Sequence, residues 1–100
     1  MNFKLSFNEI MVDHMLEFKS ENENLLKTIE NLGARLITTN KMEWTKTKRF
    51  PTFIDDWESS VEIDVINIEF IYEIDELEKI QTFINLILSL DYQLEYELLN

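Results

Sequence analysis

Cysteine is absent from this chain, glycine and proline each occur once, and there is a single histidine. Without cysteine, neither disulfides nor thiolate metal sites can form. One glycine leaves no glycine-rich phosphate loop and no Gly-x-Ser-x-Gly elbow. The lone histidine, His14, has no nucleophile or oriented carboxylate beside it in the sequence, so general-base work has no visible machinery. The longest apolar-rich segment, residues 80–90, falls far short of the roughly 20 residues that span a bilayer. Met1 leads into Asn2-Phe3-Lys4-Leu5, without the basic segment and apolar run of a secretory leader. These absences set the first expectations: a cytoplasmic protein, no membrane partner, no cofactor, no metal and no enzymatic activity.

Positive charge is scarce in one half only. Through Arg49 the chain has seven acids and eight bases, whereas from Phe50 onward it has thirteen acids and one base, Lys79. The formal net charge is -11. Such asymmetry governs long-range field and choice of partner. Direct binding of nucleic acid needs a basic footprint, and the only candidate is Lys41, Lys46, Lys48 and Arg49 around Trp44. That patch is small beside the acidic half. It reads better as a strand pairing with neighbouring acids, or as an edge guarded against unwanted pairing.

What is plentiful is apolar and aromatic surface. Hydrophobic residues make up 45 % of 100 residues, with seven Phe, three Tyr and two Trp. Disordered acidic chains are poor in these types. The length suits a single domain, residues 1–100.

Periodicity gives the elements. Residues 2–6 alternate as a short strand. Phe7, Ile10, Met11, His14, Met15 and Phe18 then recur at helical spacing. Ser20-Glu21-Asn22-Glu23 has the form of a capping box opening a second helix, with Leu25, Leu26, Ile29 and Leu32 as its stripe. One kinked helix or two is left open at this point. Gly33 suits the left-handed residue that closes a helix. Residues 35–48 read as a strand, 49–60 as a loop and 61–74 as the strongest strand. Apolar parity flips after Val65, which means either that both faces are buried or that a bulge inserts one residue near Val65–Ile66. The bulge is favoured, because it places Asn67 and Glu69 on one polar face with Glu62 and Asp64. Asp75-Glu76-Leu77-Glu78 reads as a second helix start. A stripe of Leu77, Ile80, Phe83, Ile84, Ile87 and Leu88 follows, and then a last strand from Tyr92 to Leu98. The predicted class is α+β: a four-stranded antiparallel sheet with helices on one face, in β-α-β-β-α-β (ferredoxin-like) order with an enlarged first helical segment.

Two candidate sites follow. Glu62, Asp64 and Glu69, with Glu95 and Glu97 of the last strand, form an acidic face. Same-face carboxylates on a strand lie about 6.8 Å apart, a row able to imitate the repeating charge of a nucleic-acid backbone. The bland alternative is a solvated surface that confers solubility. The second candidate is the loop with Phe53, Asp55, Asp56, Trp57 and Glu58, aromatic anchors among acids that would steer in a basic partner. Its bland alternative is a lid over the core. Asp55, Asp56 and Glu58 lack the spacing and mid-loop glycine of an EF-hand.

The expectation is a small acidic inhibitor of a basic, nucleic-acid-handling protein. Its size and charge are of the physical type of phage anti-defence proteins, anti-CRISPR or anti-restriction. The alternatives are an immunity protein that neutralises a basic toxin such as a nuclease, and an oligomeric structural module. Oligomeric state is open.

Overall fold

The computed structural model describes residues 1–51, 58–90 and 94–99, without the side chains of 50, 51, 58 and 90. The chain runs β1 (Asn2–Met11), a 3-10 turn (Val12–His14), α1 (Met15–Asn31), β2 (Arg35–Pro51), β3 (Glu58–Glu73), α2 (Glu78–Leu90) and β4 (Leu94–Leu98). The strands form one antiparallel sheet in the order β2-β3-β1-β4. The class is therefore α+β, a four-stranded antiparallel sheet with two helices.

The two-residue repeat puts Phe3, Leu5 and Phe7 on one face of β1, and all three are buried. One cluster joins them to Ile29 of α1, to Ile80, Ile84 and Ile87 of α2, and to Tyr72, Ile74 and Leu94. Both helices therefore pack on this face, the inner one. Each fully buried Leu, Ile or Phe stabilises the fold by about 1.5–3 kcal/mol relative to leaving it exposed. Phe3 stacks on Tyr72 at 5.5 Å between centroids, and Phe7 meets Phe18 of α1 edge-on at 5.0 Å.

The first helical segment is shorter than its spacing predicts. Phe7, Ile10 and Met11 belong to β1, not to a helix, and α1 is one helix from Met15. A β-bulge accounts for the difference. Phe7 pairs with Ile68 and Ile10 with Ile66, so β1 spends one more residue than β3 over this stretch. The extra residue returns Ile10 to the face of Phe7, and a three-residue step on one face looks helical in sequence. Glu9, within the bulge, takes φ 56, and its N–H donates to Oδ1 of Asn67 at 2.8 Å. The bulge predicted near Val65–Ile66 is thus not in β3, which runs regularly against β2 from Thr38–Ile71 outward, the one irregularity of that pair being an extra β2 residue between Leu36 and Thr38. There both faces are buried, Val65 at 3 % and Ile66 at 5 % exposure.

Ser20-Glu21-Asn22-Glu23 caps nothing, because it lies inside α1. His14 is exposed rather than part of an apolar stripe. Asp75 likewise gives its carboxylate to Arg35 at 3.2 Å. Gly33 does close α1: at φ 112 its N–H donates to the Glu30 carbonyl, and that of Ala34 to the Ile29 carbonyl. These two bonds make a Schellman motif.

β1 ends opposite Val65. Beyond it, β2 and β3 continue alone as a ribbon from the Thr45–Asp64 pair to the Pro51–Glu58 pair. Seven residues per strand at roughly 3.4 Å each give an arm of about 24 Å, which explains overall extents of 59 × 27 × 23 Å. The loop expected over residues 49–60 is correspondingly shorter, since both of its ends are strand.

The two positive-φ residues give a paired test. Nothing lies within 4 Å of a methyl group at Gly33, so Gly33→Ala meets backbone strain alone and should lower stability by about 1–2 kcal/mol. Glu9→Gly removes such strain and should be neutral or raise stability by up to about 1 kcal/mol. Urea unfolding of both variants checks the signs.

Candidate acidic surface on the sheet and its arm

Register decides which acids share a surface. Along the regular β3, Glu62 and Asp64 fall on the face of Ile66, Ile68, Phe70 and Tyr72, the inner one. Asn67 and Glu69 fall on the outer face. The single acidic row expected over Glu62, Asp64, Asn67 and Glu69 is therefore split between two faces. The physical reason is the position of the bulge, in β1 and not in β3.

The outer group is Glu69, Glu95 and Glu97, arranged about Lys4 of β1. Lys4 Nζ lies 3.1 Å from Glu97 and 3.6 Å from Glu69, its neighbours on the two flanking strands. The hydrogen bond to Glu97 and the charge of Glu69 raise the Lys4 pKa above its ordinary value. Arg35 of β2 is within 3.7 Å of Glu73 as well as bonded to Asp75, and Asp75, hydrogen-bonded to it, raises its pKa. Glu69, Glu97, Glu73 and Asp75 thus each lie beside a cation, whereas Glu95 has none among the described residues.

The inner group differs. Glu43 pairs across the ribbon with Ile66, and Thr45 with Asp64, so Glu43 and Asp64 are diagonal neighbours. Glu62 is the next residue on that face. All three are exposed, and none has a cation partner among the described residues. Asp64 accepts only a neutral bond, from Thr45 Oγ1 at 3.0 Å. A shallow cavity of about 260 Å³ lined by Val12, Glu43, Trp44, Thr45 and Asp64 marks where the arm meets the 3-10 turn. Beyond that turn, a cavity of about 330 Å³ is lined by Glu9, Glu17 and Glu21 together with His14. Glu43 escapes a reading by halves of the chain, because it sits in the basic one. Pairing the two strands by parity is the signal that brings it in.

The basic residues divide in the same way. Lys46 and Lys48 pair with Ile63 and Val61 on the outer face, Lys41 and Arg49 with Ile68 and Ser60 on the inner. Lys46 is bound to Glu9 at 2.6 Å. They do not form one patch around Trp44. Phe53, Asp55, Asp56 and Trp57 lie outside the described residues, as does the side chain of Glu58.

Among the described residues, no group of three or more His, Asp or Glu is placed to hold a metal ion, and no helix is long and apolar enough to cross a membrane. No protein-family model matches the chain, and no curated protein matches it in sequence.

Replacing Lys4 by Gln leaves Glu69 and Glu97 facing each other across β1. The variant should melt lower than the parent in dilute buffer, with the gap closing toward 1 M salt, where screening is effective within about 3 Å. Alkali should expose a second dependence. Burial, with the charge of Glu30 adding to it, raises the Tyr72 pKa from 10.0 to about 12. Between these values the unfolded chain releases the phenolic proton and the folded one retains it, so stability falls as pH rises. The Lys4 pairs act in the same direction: their stabilisation is complete below pH 10.5 and is lost as pH passes the raised pKa. Tyr72→Phe should flatten the decline seen in pH-dependent melting between about 10 and 12.

Proposed function

We propose that this protein is a small acidic inhibitor that works by binding, not catalysis. Its partner is a basic, nucleic-acid-handling protein, and the binding surface is anionic and mimics DNA or RNA. This is the physical type of the phage anti-defence proteins. The observation that carries the reading is the contrast between the two acidic groups. On the outer face the sheet brings Lys4 to Glu69 and Glu97. On the inner face of the arm and its root Glu43, Glu62 and Asp64 stand together without an ion pair among the described residues. Mutual repulsion of like charges on adjacent strands costs stability. Carboxylates left uncompensated on a projecting ribbon are well placed to meet positive charge supplied by another molecule.

The architecture suits that role. We read it as a ferredoxin-like sandwich in which β2 and β3 are lengthened into the arm. The likeness rests on the β-α-β-β-α-β order and the β2-β3-β1-β4 arrangement. A fold of this kind carries no function by itself. The arm carries the charge away from the body, where a groove made for nucleic acid can admit it.

Glu43→Gln, Glu62→Gln and Asp64→Asn together should leave the fold intact, with an equal or slightly higher melting temperature. After low-salt capture of the partner by the parent protein, association with the triple variant should be roughly tenfold or more slower. Parent affinity should fall as salt rises from about 0.05 to 0.2 M. Affinity that stays flat with salt, or a triple variant that binds as the parent does, overturns the proposal.

A further inference from the structure

The inner face has a second feature, independent of the acidic surface. In the sheet order β2-β3-β1-β4, β2 is the outermost strand. α1 packs over β1 through Phe18 and Ile29, and so leaves the inner face of β2 uncovered. Between α1 and that face lies a cleft of about 500 Å³, within the 300–1,000 Å³ typical of small-molecule sites. Its apolar part comes from Met15, Phe18 and Leu26 of α1 and from Ile68 and Phe70 of β3. Side chains of this kind, open to solvent, favour an apolar occupant by the area it removes from water.

The rim specifies the head group. Lys19 of α1 and Lys41 of β2 line the cleft from opposite walls. Acids outnumber bases by twenty to nine in this chain, and Lys4, Lys27, Arg35, Lys46 and Lys79 each lie beside a carboxylate. Lys19 and Lys41 have no such partner among the described residues. Glu23, also at the rim, is held by Lys27 at 2.9 Å. The hydrogen bond from Lys27 lowers the pKa of Glu23.

We propose that this cleft binds a medium-chain aliphatic carboxylate, with the hydrocarbon between Phe18, Leu26 and Phe70 and the carboxylate between Lys19 and Lys41. Charge complementarity selects this occupant: two cations without an ion pair among the described residues line opposite walls of an apolar cleft in an otherwise acidic molecule. Neither lysine belongs to the arm, and no residue of the arm lines the cleft. Failure of either proposal therefore leaves the other standing.

Titration of the isotope-labelled protein with decanoate, followed by amide chemical shifts, tests the site. Saturable shifts are expected along residues 15–26 and 39–41, with a raised melting temperature. The double variant Lys19→Gln, Lys41→Gln changes only exposed side chains and should fold as the parent does. Its affinity for decanoate should be at least tenfold weaker. Decanol, with the same chain but no anion, should bind tenfold or more weakly, and butyrate should not saturate. The assignment is overturned if decanol binds as tightly as decanoate, if the double variant loses no affinity, or if the shifts map elsewhere. It is also overturned if light scattering shows a dimer that decanoate does not dissociate and whose interface shifts cover the cleft, since the occupant is then a second copy of the chain.

Discussion

β1 is the strand on which the body is organised: it is hydrogen-bonded on both edges and covered by the helices along Phe3 to Phe7, while β2 attaches at one remove through β3. β1 pairs with β3 on one side and β4 on the other, and Phe3, Leu5 and Phe7 are almost wholly removed from solvent. The rings of Tyr72 and Tyr96 from the flanking strands gather on Phe3 at 5.5 and 5.9 Å, and those of Phe18 and Phe70 on Phe7 at 5.0 and 5.9 Å. Edge-to-face and offset contacts of this kind add about 0.5–1.5 kcal/mol per pair beyond area burial. A one-residue slip of β1 would turn these rings to the outer face and bring Lys4 and Ser6 under the helices. Lys4 resists that slip from the outer side, because only the native register sets it between Glu69 and Glu97.

Where β1 stops, the physical regime changes. A two-stranded ribbon is at best marginally stable alone, so the root of the arm must anchor it. Val65 does this from the outer face, with Met11 and Trp44 as its cross-strand neighbours. Ile66 does it from the inner face beside Ile10. Trp44 packs there with its indole N–H buried and without an acceptor among the described residues. Farther out, the ribbon keeps Glu62 exposed and Ile63 only partly covered. The body is secured by burial and the arm by pairing, which places the least protected hydrogen bonds beside the uncompensated carboxylates.

The class of fold and the identity of each strand and helix are legible in the sequence because burial follows period two or period 3.6, and most elements keep one period throughout. Ile80, Ile84 and Ile87 form the stripe of α2, and Leu94 and Tyr96 the inner side of β4, as the spacing requires. Gly33 is legible for a steric reason, since only glycine enters φ 112 without strain. Illegible was the bulge at Glu9. One inserted residue makes the Phe7–Ile10 step look helical, and the double burial of Val65 and Ile66 makes β3 look bulged. The two misplacements share that origin: a bulge belongs to a pair of strands, and a single strand's pattern does not say which partner holds the extra residue. The candidate site inherits the consequence. Parity along β3 sends Glu62 and Asp64 to one face and Glu69 to the other, and it adds Glu43 from a strand whose own composition is basic.

Division of charge between the faces of one ribbon has a mechanical meaning under the proposed function. The inner side carries Glu43, Glu62 and Asp64, with Arg49 as its one base toward the tip, while the outer side carries Lys46 and Lys48. A partner with a basic groove is therefore attracted to one side of the arm and repelled by the other, and the field orients the encounter before any contact forms. Lys46 is tied to Glu9 at the strained bulge, so this lysine also links the arm to the body. Neutralising the outer side would weaken that anchor and remove the directional contrast together. The sheet thus uses opposite charges for separate tasks. Cations close the fold on the outer face, and anions on the inner face are left for a partner to neutralise.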